Sequence, residues 1–154
     1  MPSSSPDAPQ ARSAQAIGWL VLRVALGVFL IDKGLGKLPW LFESAPLAHR
    51  LTEWAARENV AEISRWYAHL LIGGAPLFAR LSLLGELGGG VALVLGFRTR
   101  EVAALSALMI LNYHLASGGL IVPSFISEAN GLATVGALIA LAIGARNLPY
   151  SLTG

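Results

Sequence analysis

One carboxylate stands inside an apolar run. Glu86 lies near the middle of Leu81 to Phe97, within the stretch PLFARLSLLGELGGGVALVLGFRTRE that runs from Pro76 to Glu101. An ionisable group at mid-membrane costs on the order of a few kcal/mol even on permissive scales. It must face protein, an opposite charge or a water-filled cavity. Arg23 is a cation inside another apolar stretch. If the two stretches run antiparallel, at 1.5 Å per residue their depths differ by a distance an arginine side chain can bridge. An Arg23–Glu86 ion pair is therefore expected. Such a pair can serve only to set helix register. Alternatively, Glu86 handles protons or orients a bound ligand.

A second polar group gathers toward one end of the apolar stretches. Asp32, Lys33 and Lys37 close the first, Arg80 begins the second, and Asn112, Tyr113 and His114 approach the end of the third. Glu128 and Asn130 open the fourth. Residues at helix ends commonly meet lipid headgroups, and lysines extend along apolar surface to reach water. Asn112, Tyr113 and His114 lie deeper. Tyr113 and His114 can hydrogen-bond a quinone carbonyl, with His114 relaying a proton. Lys37, Arg80, Asn112, Tyr113 and His114 are therefore the candidate quinone or ligand site. His114 could instead ligate a haem or pigment metal, but no second inward histidine is apparent at the opposite depth. His49 and His69 fall in a polar region. No metal site is expected.

The elements that must position these groups are helices in a membrane. Of 154 residues, 55% are hydrophobic and only 13% charged, with a mean hydropathy of +0.62. A soluble domain carries about a quarter charged residues. The length accommodates four spans of about 20 residues and one larger loop. The absence of cysteine excludes disulfide exchange, thiolate metal sites and iron–sulfur ligation by this chain. The net charge of +2 comes from scattered basic residues, so nucleic acid is not an expected partner. The expected fold is all-α, an integral membrane four-helix bundle with an amphipathic surface insert between spans one and two.

In chain order, residues 1–16 read as a disordered cytoplasmic tail, rich in Pro, Ser, Ala and Gln. The first span runs from Ile17 to about Leu35 and is retained rather than cleaved, since it contains Arg23 and no small-residue cleavage site follows. The insert, about residues 39–75, mixes charges with Leu47, Leu51 and Trp54, then Ile63, Trp66, Tyr67 and Leu70. Helical spacing with a phase break near Asn59 predicts one broken helix or two short ones at the membrane surface. Trp40, Trp54, Trp66 and Tyr67 suit an interfacial aromatic belt; a small globular cap fits the same pattern. Span two runs from the Gly73–Pro76 turn to about Phe97. Span three runs from Glu101 to about Ser117 with Thr99 as its cap. Span four runs from Glu128 to about Ala145 with Ser127 as its cap. Gly85 and Gly89 form a G-x-x-x-G step, and Gly136 and Gly144 put a small face on span four. Such faces let helices approach closely.

Arg98 and Arg100 occupy one short turn, and Arg12 and Arg146 flank the outer spans. The loop between spans three and four has no Lys or Arg. The positive-inside rule then places both termini in the cytoplasm of a multi-pass protein of the inner (cytoplasmic) membrane, with the insert outside.

At these residues the chain resembles the DoxX family of small four-span membrane proteins. The matches are R-x-x-L-G-x-F at Arg23, Leu26, Gly27 and Phe29, then G-x-x-K-L at Gly34, Lys37 and Leu38. E-L-G-G follows at Glu86 to Gly89, and L-G-F-R-T-R at Leu95 to Arg100, with Ala103 and Ala104 after it. Weaker matches are His114, Glu128 and Tyr150-Ser151-Leu152, where Thr153 replaces the family's acid. The resemblance covers about Gly18 to the carboxyl end, and the insert matches poorly. It implies a membrane component of redox systems, such as the small subunit of a thiosulfate:quinone oxidoreductase or an anchor for oxidant-defence enzymes. The expected function is an integral subunit of a redox complex, with lipid and other membrane or membrane-associated subunits as partners and a quinone pocket among the helix ends. The alternative is a structural accessory subunit of a larger respiratory or photosynthetic assembly.

Overall fold

The computed structural model describes residues 8–145 and Leu152. Residues 1–7, Arg146, Tyr150, Ser151 and Thr153 lie outside that set, and with them part of the expected tail and the final motif. The element order is α1 (Ala8–Leu35), α2 (Ala45–Ala55), α3 (Glu62–Ile72), α4 (Ala75–Leu95), α5 (Thr99–Ser117), α6 (Ser124–Ser127) and α7 (Leu132–Gly144). Short 3₁₀ turns occupy Leu38–Leu41 and Gly119–Ile121. The described residues contain no strand.

α1 starts at Ala8 rather than Ile17. Its first turns hold Ala8, Ala11, Gln10 and Ala14, which are good helix formers. Pro9 falls in the first turn, where its missing N–H leaves no bond unmade. The predicted caps also moved. Arg98, in the left-handed region at φ 43°, precedes α5, so Thr99 is its first residue and is buried. Ser127 ends α6 instead of opening the last helix, and Gly131 precedes α7.

α1, α4, α5 and α7 form a closed ring of four helices, each packed on the next. Two of them, Ser13–Leu35 and Ala75–Leu95, are long and apolar enough to cross a membrane. α7 is apolar but has 13 residues. One core fills the ring with Leu26, Leu30, Leu93, Ala103, Leu138 and Leu141. Here α1 and α4 meet at their backbones. A methyl group on Gly90 would lie 2.7 Å from the Gly27 carbonyl oxygen and 2.8 Å from the Ile31 nitrogen. Further along, Gly34 meets Leu87. Gly85 and Gly89 face α5, against Met109 and Ser106. Gly144 seats the Trp19 ring. Gly136 does not pack: it is exposed, with open space where a side chain would stand.

The insert is the two predicted short helices, broken between residues 55 and 62. They fold over one end of the ring rather than merely lying beside it. α2 and α3 pack on each other and on α4 and α5, and build a second core from Trp40, Leu47, Leu51, Trp54, Ala68 and Leu71 with Ala75, Ala79 and Ala116. Trp40 and Trp54, expected in an interfacial belt, are buried there. Their rings have enough apolar area to close the contact between insert and bundle. Trp66 stays exposed.

Candidate functional site

Three helix faces converge under the insert. Phe78, Ser82 and Glu86 recur every four residues on α4, so they share one face. On α2, Leu47, Arg50, Leu51 and Trp54 follow the i, i+3, i+4, i+7 spacing of a single stripe. On α5, Met109, Asn112, Tyr113 and Ala116 do the same. Between these faces lies a cavity of about 210 Å³, whose wall also includes Lys33, Lys37 and Asn130. Its wall combines charged and polar groups, Lys37, Glu86, Arg50, Ser82 and Asn112 among them, with the rings of Trp54, Phe78 and Tyr113 and with aliphatic side chains.

Glu86 is buried, and its Oε1 accepts a hydrogen bond from the Lys37 ammonium in a salt bridge. Its Oε2 is buried without a hydrogen-bond partner. Lys37 follows α1 in a tight turn, its amide bonded to the Gly34 carbonyl at 2.9 Å. Its Nζ also lies 5.4 Å from the Trp40 ring centre and 5.8 Å from that of Tyr113. The Arg50 guanidinium carbon lies 5.5 Å from the Trp40 ring centre. The Trp54 ring meets Tyr113 edge to face, with centres 5.0 Å apart. The charge pair is thus enclosed by aromatic faces that attract cations.

The expected Arg23–Glu86 pair does not form. The glycine contacts set the register. Gly34 opposes Leu87 and Gly27 opposes Val94, so Glu86 is level with the end of α1. Arg23 is about three turns further along, roughly 16 Å at 1.5 Å per residue. It is buried at the other end of the ring.

Of the expected ligand residues, Lys37, Asn112 and Tyr113 line the cavity, and Asn112 accepts a hydrogen bond from the Tyr67 hydroxyl of α3. Arg80 does not. Its guanidinium folds back on its own helix and donates to the Pro76 carbonyl. His114 does not line this cavity either. It is 2% exposed, and its Nε2 is 2.9 Å from the Asn130 carbonyl oxygen. A carbonyl only accepts, so Nε2 carries the proton. The ring packs edge to face on Phe125 at 4.9 Å. His114 therefore ties α5 to the α5–α7 connection. It borders a separate recess of about 300 Å³ with Arg57, Asn59 and Glu128, and Tyr113 separates that recess from the main cavity. Trp54, Arg50, Ser82 and Phe78 are the cavity residues that sequence reasoning passed over. Their signals were the four-residue spacing to Glu86 and the α2 stripe.

The fold and site define a class: an all-helical membrane protein whose inserted helices roof a cavity built around a buried ion pair. The chain belongs to the DoxX family, whose profile matches residues 18–118. The match spans Arg23, Lys37, Glu86, Asn112, Tyr113 and His114, and the whole insert. No curated protein and no solved structure matches the chain.

Proposed function

We propose that this protein is an integral subunit of a membrane redox complex and that its roofed cavity holds the head group of a quinone. The observation that carries this reading is the Lys37–Glu86 pair at the wall of a cavity that also brings together aromatic rings, aliphatic side chains and the polar groups of Ser82 and Asn112. A quinone head needs a flat apolar slot for its ring and polar groups for its oxygens. Trp54 and Tyr113 supply the slot, and Lys37, Asn112 and Ser82 supply donors. In this reading a partner subunit supplies the electrons, the four-helix ring lies in the inner membrane, both termini are cytoplasmic, and the insert covers the outer face. Arg98 and Arg100, which precede and begin α5, support that orientation.

The test is extraction in mild detergent followed by quinone analysis. Ser82→Phe fills the cavity without changing its charge. Stoichiometric quinone with the wild type and its loss with Ser82→Phe are expected. A wild type that binds neither its native quinone nor an added one would end this reading.

A second reading draws on α3, where Ile63, Trp66 and Leu70 are all more than half exposed at helical spacing. As a structural accessory subunit, the chain would use this stripe against a partner protein. Replacing the three with serine would then release the partner and leave quinone content unchanged.

A further inference from the structure

The hydrogen-bonding polarity of the cavity distinguishes between the two redox forms of a ring ligand. A carbonyl oxygen can only accept, whereas a hydroxyl both donates and accepts. The cavity's central group is a carboxylate, an acceptor, with Oε1 held by Lys37 and Oε2 left without a donor. Such an acceptor carries its full desolvation cost until a donor reaches it. The terminal torsion of a glutamate is broad and two-fold. A small rotation therefore presents Oε2 to the cavity while Oε1 keeps the ammonium. Lys37 is also occupied: besides Glu86 it faces the Trp40 and Tyr113 rings. A ring hydroxyl entering here can donate to Glu86 and accept from a remaining Lys37 N–H. A ring carbonyl can accept from Lys37, Ser82 or Asn112 as a hydroxyl can, but it offers Glu86 no proton, and beside the ion pair its lone pairs face the carboxylate.

We propose that the cavity selects the dihydroxy, reduced form of its ring ligand, with Glu86 as the acceptor that recognises the hydroxyl. This rests on reading the cavity as a ring head-group site. The ligand class is an aryl diol: Lys37 offsets Glu86 and Asp32 lies 3.8 Å from Lys33, which leaves Arg50 against the Trp40 ring.

The test compares menadiol, kept reduced under anaerobic conditions, with menadione. Both are titrated calorimetrically into the purified full chain in lipid nanodiscs, against empty-disc blanks. The expected result is binding of the diol about ten-fold or more tighter, the difference made by one hydrogen bond to a charged acceptor. Glu86→Gln offers an amide that donates to a carbonyl, and it should abolish or reverse the preference. The wild-type ratio needs no variant, so a misfolded Glu86→Gln would not remove the test. Equal or tighter binding of menadione to the wild type overturns the selection but leaves the head-group site standing. Binding of neither overturns both.

Discussion

At Gly27 and Gly90 two helix backbones touch so closely that one methyl group would meet a carbonyl. At the other end of the same two helices, about 210 Å³ stays open around a charge pair. The closed end uses glycine, alanine and leucine, and it is bounded by the buried Arg23. The open end uses Tyr113 of α5 together with tryptophans and long aliphatics borrowed from the insert. Large rings bridge a gap that the helices leave. The difference teaches that the bundle gets its register at one end and its chemistry at the other. The same glycines that bring α1 against α4 also carry Lys37, rather than Arg23, to Glu86.

The strongest way to break this division is at the ion pair. Glu86→Ala leaves the Lys37 ammonium without its partner in a mostly buried site. A loss of about 3–5 kcal/mol in reversible unfolding from mixed micelles is expected. Replacing both residues with methionine should recover most of that stability while eliminating ring-ligand binding. If the double variant still bound, the pair would be packing alone. At the closed end, Gly90→Val forces backbone against backbone and should cost about 3 kcal/mol in the same assay. It should also displace Glu86 from Lys37, so binding falls with stability. A stable Gly90→Val protein with intact binding would show that the two ends are uncoupled.

His114→Ala removes a buried hydrogen bond and an aromatic contact. About 2 kcal/mol of stability should go, while ring-ligand affinity stays unchanged, because His114 anchors a connection instead of touching the cavity. The smallest effect belongs to Gly88→Ala and Gly136→Ala. Neither position has a neighbour within 4 Å of an added side chain. Better helix propensity should make each neutral or stabilising by up to about 1 kcal/mol. A large loss there would reveal a helix–helix contact made with another chain.

The helices, the turn residues and the need of Glu86 for company were legible in the sequence, because periodicity and hydropathy report depth and face along one helix. The break in the insert was legible for the same reason. The partner of Glu86 was not. Depth within each helix does not give the offset between two helices, and here that offset follows from Gly27, Gly34 and Gly90 together. Arg80 and His114 were misjudged for a related reason. Their depth suited a ligand site, but Arg80 found a carbonyl on its own helix and His114 found one in the following connection. Trp54 looked interfacial because an amphipathic stripe reads alike whether it meets lipid or a neighbouring helix. The tight seat of Trp19 on Gly144 required knowing which faces of α1 and α7 meet.

The sequence separation of the buried pair bears on how the protein is made. Lys37 and Glu86 are 49 positions apart. At ribosomal rates of about 5–20 residues per second, the cation emerges some seconds before the acid. An unpaired lysine beyond the end of a first helix can wait at headgroup level with its ammonium in water. An acid stranded in mid-helix could not wait so cheaply. In the proposed membrane arrangement the order of synthesis therefore delivers the tolerant charge first, so that Glu86 meets a counter-ion already in place.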